Sequence, residues 1–398
     1  MLSAVILFAT LLAGVLLIHP RLSRATHWRA TVTPLASIIG SGFLVLGPIL
    51  HGAYGTWAPL GMVALCLLAY AFGAAIRFNI RYLDAQALPP SRLDGWGEML
   101  ADWVLAFAYV ISVAYYLNLF GAFAMSLAAA PIAHAAELVT TGIFALILIT
   151  GLTRGFGALE WMEKASVSLK LAIITGLLAG LAWVFAERSV TGALIYSPAQ
   201  IEGWAAITLI FGLLVTVQGF ETSRYLGDEY DAPTRIASMR TAQWISGAVY
   251  IAYALLLCAL FLPDTGPVSE TAIIGMMAGI DPVLPTLLII AALSAQFSAA
   301  VADTGGSGGL LAELTRGRMS ARMGYALLAA IGVGMTWTLS VFEIIGYASR
   351  AFALYYAMQA LLAARRAWTQ PRGHLPATGF FLLALLGLAI VALGTPVE

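Results

Sequence analysis

Twelve apolar stretches, each roughly 17 to 25 residues long, follow one another along this chain. They fall at about 2–19, 31–50, 57–77, 101–129, 134–152, 165–186, 204–223, 242–262, 284–311, 323–339, 341–363 and 376–394. Each is long enough to cross about 30 Å of hydrocarbon as a helix. The stretches meeting near 130 and near 340 are separated by very little. A β-barrel would instead show alternating segments of about ten residues, and the chain has none. Only 10% of the 398 residues are charged and 61% are hydrophobic, with a mean hydropathy of +0.90. Soluble chains carry about 25% charge, so an ordinary soluble enzyme and a disordered scaffold are both excluded. Twenty cationic residues balance twenty acidic ones with no basic tail, which leaves nucleic acid nothing to hold. The chain reads as an all-α polytopic membrane protein whose constant partner is the lipid bilayer.

The basic residues set an orientation. Arg21, Arg24 and Arg29, then Arg77, Arg81 and Arg92, then Arg154 and Lys164 fill alternate connections. Arg224, Arg235 and Arg240, then Arg316, Arg318 and Arg322, then Arg365, Arg366 and Arg372 continue the series. The connections between hold only Arg188, while Lys170 and Arg350 fall inside spans. The positive-inside tendency makes the Arg-rich side cytoplasmic and puts both termini on the periplasmic or extracellular side. Compactness and composition suggest the inner membrane of a bacterium. The first stretch has no basic region before it and has His and Arg after it, the reverse of a cleavable signal peptide, so it reads as an uncleaved helix. Cys66 and Cys258 lie within spans as small buried apolar groups. His19, His27, His51, His134 and His374 sit at or outside predicted helix ends, which argues against haem ligation; no cofactor or metal is expected.

A spanning helix satisfies its own backbone hydrogen bonds, so helix-weakening residues at mid-depth need a reason. The second stretch contains Ile38-Ile39-Gly40-Ser41-Gly42-Phe43 and then Gly47-Pro48. The seventh contains Gly212 and then Gln218-Gly219-Phe220-Glu221-Thr222-Ser223. Small residues permit close helix packing, which is one reading. The other is that both helices unwind near the midplane and offer free N–H and C=O groups to a ligand. Spacing favours the second. With the first and last helices set aside, ten remain in two groups of five, and a broken helix opens each group. An odd number of spans per group inverts the second relative to the first, which is the pattern of an inverted-repeat secondary transporter. The divisions run 1–29 (extra N-terminal helix and link), 30–188 (first repeat), 189–366 (second repeat) and 367–398 (extra C-terminal helix). The half-helix N-terminus beside Gly40 to Gly42 would present a positive dipole end to a carboxylate.

The run SIIGSGFLVLGPILHGAYGTWAP (37–59) resembles the first core helix of the amino acid–polyamine–organocation (APC) superfamily. GFETSRYLGDEYDAPTRIASMR (219–240) resembles that superfamily's sixth helix and following loop, and ASVSLKLAIITG (165–176) its fifth core helix with its lysine. The resemblance implies a LeuT-type fold of five plus five helices, extended here by one helix at each end to twelve spans. The eighth core helix and the extra N-terminal helix depart from the superfamily pattern. By resemblance, Ile39, Gly40, Ser41, Gly42, Gln218, Gly219, Phe220 and Glu221 would surround the substrate, its carboxylate on N–H groups around Gly40 to Gly42 and its amine near Gly219 and Phe220. Tyr109, Tyr115, Tyr116 and Asn118 lie on the flanking third core helix, where Tyr109 or Tyr116 could meet a ligand carboxylate or simply bond between helices. Trp57, Trp96, Trp103 and Trp183 read as interface anchors.

Ionisable side chains at depth are costly and point to function. Burial disfavours the charged form of a side chain, so Lys170 and Glu221 could each exchange a proton during a cycle. Lys170 could instead reach the cytoplasmic surface. In proton-coupled members of the resembled superfamily the matching lysine occupies the place of a sodium ion, which would put Lys170 between the break at 38–42 and the helix around 294–303. Glu221 could alternatively be a structural tie for its broken helix. Ser294, Ser298 and Asp303 could supply hard oxygen ligands to a sodium ion, the alternative to the lysine. Glu343 and Arg350, seven apart on one helix face, are too distant for an intrahelical pair and could gate an outer vestibule, each with another partner. No Walker motif, HExxH or Gly-x-Ser-x-Gly is present, so the expectation is not an enzyme. It is an alternating-access transporter of a small amino acid or related zwitterion or amine, coupled to protons. The alternatives are sodium coupling on the same fold, a passive channel, and a non-transporting subunit or sensor that kept the fold.

Overall fold

The computed structural model describes residues 1–40, 42–85, 91–128, 133–153, 157–263, 269–371 and 373–396, with 157–165 as backbone only. The described residues form fifteen α-helices and no strand. In chain order these are α1 (Leu2–Ile18), α2 (Pro20–Ser23), α3 (Thr26–Ile38), α4 (Gly42–Tyr54), α5 (Ala58–Asp84), α6 (Arg92–Met125), α7 (Ala135–Thr153) and α8 (Gly157–Thr191). They continue as α9 (Gly203–Gly212), α10 (Ala232–Leu260), α11 (Ala272–Ala278), α12 (Val283–Leu314), α13 (Ala321–Thr338), α14 (Val341–Trp368) and α15 (His374–Leu393). Short 3₁₀ segments occupy Gly55–Trp57, Leu214–Val217 and Phe220–Tyr225.

Each of the twelve apolar stretches coincides with a helix or, for the second and seventh, with a helix broken in two. Among the described residues, seven segments are long and apolar enough to cross a membrane on those properties alone. The difference from twelve has physical causes. α1 has 17 residues, about 26 Å of helix. α9 stops after ten residues, and one of the seven segments, Gly42–Asp84, takes in the second half of the interrupted second stretch together with the third. α14 carries Arg350, Arg365 and Arg366 and is covered on most sides by its neighbours, so it need not be apolar throughout. The molecule is an integral membrane protein with the expected all-helical plan.

Two packing groups hold the breaks. α10 and the 3₁₀ segment Phe220–Tyr225 pack on each other, and both pack against α3 and α5. α6 packs against α12, α14, α7 and α13, while α1 lies along α8 and α15 along α14. Within α4, Pro48 has no N–H for the carbonyl of Leu44. The Tyr253 hydroxyl of α10 lies 3.4 Å from that carbonyl instead, and its ring packs 4.4 Å from Phe43.

Candidate functional site

Both expected breaks are present, and they cross. α3 ends at Ile38, Ile39 leaves the helix with φ −81° and ψ 60°, and α4 starts at Gly42. Ser41, placed in the site from sequence, lies outside the described residues, as do Arg154 and Arg372 of the orientation pattern. In the seventh span α9 stops at Gly212, Gln218 is extended, and Gly219 takes φ +114° before the segment Phe220–Tyr225. A Cβ on Gly42 would stand 2.9 Å from Thr216 Cα, and one on Gly219 would stand 2.5 Å from Ser37 Oγ and 2.6 Å from Ser37 C. These glycines therefore let the two interrupted backbones touch, and Gly219 also needs a φ that disfavours any side chain.

Glu221 sits in this crossing, 0% exposed. Its Oε2 accepts from Gly219 N at 2.9 Å and from the Tyr356 hydroxyl of α14 at 2.8 Å, while Oε1 has no hydrogen-bond partner among the described residues. Phe220 stacks on the Tyr356 ring with centroids 4.9 Å apart. Gln218 donates from Nε2 to the Tyr116 hydroxyl at 2.7 Å, leaving its buried Oε1 likewise without a partner. Tyr116 also flanks the first break, 3.9 Å from where a Cβ on Gly40 would be. Tyr109 is buried on the same helix with its ring edge-on to Phe352 at 6.0 Å. Thus Ile39, Gly40, Gly42, Tyr116, Gln218, Gly219, Phe220 and Glu221 gather around one point, which carries buried acceptors that nothing described here satisfies. Asn118 does not join them, because its Nδ2 donates to Ala114 O and to Thr336 Oγ1 of α13.

Lys170 is 1% exposed and does not reach the surface. Its Nζ donates to the carbonyl of Ala36 at 2.6 Å, two residues before α3 ends. Ala36 lines a cavity of about 20 Å³ together with Thr33, Ser37, Thr222, Ser298, Ala299 and Ala302. Lys170 thus ties α8 to the first broken helix two residues short of the break rather than at 38–42, and α12 borders the cavity that Ala36 lines. The three residues considered for a cation are not brought together. Ser294 bonds with Ser166 of α8, at 2.6 Å between hydroxyls. Ser298 faces the cavity beside α3, and Asp303 accepts from Ser112 Oγ of α6. Helical phase separates Asp303, since the five residues from 298 to 303 turn the side chain by about 140°, and Ser294, which shares a face with Ser298, is taken up by Ser166.

Glu343 and Arg350 require a correction. Glu343 is not at depth but in the exposed first turn of α14, where it forms a capping box with Ser340. The Ser340 N–H donates to Glu343 Oε2 at 2.7 Å, and the Glu343 N–H donates to Ser340 Oγ at 3.2 Å. The pattern Ser-x-x-Glu at a helix start is a sequence signature of this box. Arg350 is half-buried and donates from Nη2 to Gly394 O at 2.7 Å, tying α14 to the end of α15. Each does find its own partner, as the seven-residue spacing required.

Tyr250, Ser349 and Tyr356 join the site only through the tertiary structure. The Tyr250 hydroxyl of α10 lies 2.6 Å from Ile38 O and 3.1 Å from Thr216 O, so one group serves a loose carbonyl at each break. Ser349 Oγ of α14 accepts from Val215 N at 3.0 Å and donates to Gly212 O at 2.6 Å, stitching the end of α9 to the segment after it. Their signal in the sequence was only polar atoms inside apolar helices, a property they share with many interhelical bonds.

Two broken helices crossing beside a buried lysine and a buried carboxylate define a transporter of the broken-helix class. The comparison with known sequences agrees: the chain belongs to the APC superfamily of transporters, whose family it matches over residues 20–394. It is also 40% identical to an uncharacterized protein of Aquifex aeolicus (strain VF5) over 392 residues, covering 96% of this chain and 94% of that relative.

Proposed function

We propose that this protein is a secondary active transporter of a small amino acid or a related zwitterion or amine, working by alternating access and driven by protons. The observation that carries the reading is the pair of crossing breaks with Glu221 and Lys170 buried on either side. The first turn of α4 turns its N–H groups and positive dipole end toward the break, which suits a carboxylate. Gln218 Oε1 and Glu221 Oε1 are buried acceptors without partners among the described residues, which suits an ammonium donor. Leaving such atoms bare costs about 1–3 kcal/mol each, so a ligand that satisfies them recovers that energy on binding.

Proton coupling is favoured over sodium because the lysine ammonium already occupies the carbonyl of Ala36, while Ser294, Ser298 and Asp303 turn to three different helices. On the positive-inside pattern, α6 begins and α14 ends on the cytoplasmic side of an inner membrane, with both chain termini outside. The test is uptake of mixed labelled amino acids into proteoliposomes under a proton or a sodium gradient, for the parent protein and Lys170→Ala. Proton-driven uptake that the substitution abolishes supports the reading. Sodium-driven uptake unaffected by it overturns the lysine mechanism. No uptake from folded protein under either gradient moves the assignment to a non-transporting member of the family.

A further inference from the structure

At the Arg-rich end of the molecule, ten residues or about three turns beyond Tyr356 along α14, lies a buried cluster of charges. Asp94, Glu98 and Asp102 occupy one face of the first turns of α6 at four-residue intervals. Glu98 has two arginine partners on its two oxygens, and its Oε2 also accepts from Gln359 Nε2 of α14 at 3.4 Å. Oε2 pairs with Arg224, the fifth residue of the segment Phe220–Tyr225, and Oε1 pairs with Arg366 of α14 at 2.6 Å. The side chain of Arg366 is 1% exposed, and those of Arg224 and Glu98 are 11% and 14% exposed. Arg224 also bonds Gln359 Oε1, which accepts from Asn79 Nδ2 of α5 at 2.9 Å. Asp102 accepts from the Tyr225 hydroxyl at 2.9 Å.

The placement of Arg224 gives this cluster a directional character. Arg224 follows Glu221 by three residues, on the segment that packs with α3, α5 and α10. Glu98 and Arg366 stand on α6 and α14, which pack on each other. The Arg224–Glu98 pair therefore joins the two packing groups, as do Arg224–Gln359, Tyr225–Asp102 and the packing of α14 on α5, whereas Glu98–Arg366 lies within one of them. A carboxylate with a single buried partner would be left bare if the groups separated, at a prohibitive cost. Glu98 keeps Arg366 when Arg224 departs, so separation leaves no uncompensated buried charge on the α6 side.

We infer that the Glu98–Arg224–Arg366 cluster is a release latch: the path from the crossing breaks to the Arg-rich side opens when Arg224 leaves Glu98, and Arg366 holds Glu98 in readiness for its return. This inference rests on the transport reading above. The latch makes Glu98 and Arg366 unequal. Without Glu98, Arg224 is left with the neutral amide of Gln359 in place of a carboxylate, and the path opens. Without Arg366, Glu98 has Arg224 as its remaining strong partner, and the path stays shut.

The test uses full-length protein with Cys66 and Cys258 replaced by Ala and a reporter Ala302→Cys, which lines the cavity beside Ser37 and Thr222 on the Arg-rich side of the breaks. The readout is the rate of reaction with a membrane-impermeant maleimide in reconstituted vesicles. Glu98→Gln is expected to raise the rate about tenfold or more, with Glu98→Asp giving a smaller rise if the amide folds poorly. Arg366→Gln is expected to leave the rate at or below the parent value. Equal rates in the parent, Glu98→Gln and Glu98→Asp overturn the latch, and so does a rise in Arg366→Gln as large as that in Glu98→Gln, which is the result for a merely structural cluster. The labelling requires no substrate. Latch behaviour in a protein that takes up nothing therefore refutes the transport reading alone, and uptake without latch behaviour refutes the latch alone.

Discussion

Ser349→Ala tests how the interruption of the seventh span is held. The hydroxyl is fully buried and makes two bonds to the backbone on either side of the point where α9 stops, one from Val215 N at 3.0 Å and one to Gly212 O at 2.6 Å. Removing it leaves a buried donor and a buried acceptor without that hydroxyl. At about 1–3 kcal/mol for each such group, the expected loss is about 2–6 kcal/mol. Ser238→Ala is the matched control. Ser238 is equally buried, but its hydroxyl donates only to Arg235 O three residues back in α10, within a continuous helix. A helical carbonyl has its backbone partner whether or not a serine adds a second bond, so the control should lose about 1 kcal/mol or less. Both variants would be compared with the parent by equilibrium unfolding in mixed micelles, followed by tryptophan fluorescence. If Ser349→Ala falls within about 1 kcal/mol of Ser238→Ala, the hydroxyl does not hold the break, and the account of how the interruption persists is wrong.

Gly219→Ala is expected to abolish proteoliposome uptake, because the methyl would meet Ser37 at about 2.5 Å and the residue would add roughly 1–3 kcal/mol of strain at φ +114°. Gly275→Ala, with open space around the new methyl, should leave uptake unchanged, and equal uptake by the two variants would contradict the crossing geometry. Tyr250→Phe keeps the ring against Phe43 but removes the hydroxyl shared by Ile38 O and Thr216 O, so unfolding should show a loss of about 1–3 kcal/mol; no loss would mean that the two breaks are not joined through α10.

What the amino-acid sequence determined by itself was the solvent and the interruptions. Twelve stretches that water would not solvate leave little besides a helical membrane protein, because hydrocarbon forces each backbone to satisfy its own hydrogen bonds. Gly40-Ser41-Gly42 and Gln218-Gly219 stood out against that rule, and the helices do stop at Ile38 and Gly212. Lys170 was legible for the same reason, as an amine within an apolar helix. Glu343 was misplaced even though the Ser340-x-x-Glu343 box was readable, because a boundary drawn from hydropathy treats the first turn of α14 as interior. The acidic face Asp94, Glu98 and Asp102 is equally legible in the four-residue spacing, though not its partners.

Partnership was decided only by the tertiary structure. Arg224, Arg365 and Arg366 count alike toward orientation, yet Arg366 is shut inside against Glu98 while Arg365 stays partly exposed beside Asp94. Ser294, Ser298 and Asp303 looked like one ligand set and turned out to serve three helices, because helical rotation and the surrounding packing set each side chain's direction. Hydropathy is a property of residues summed along the chain and can be read in order. Which carbonyl a lysine reaches, or which arginine a carboxylate holds, depends on the rotation and depth of helices more than a hundred residues apart, and those are set by packing all of them at once.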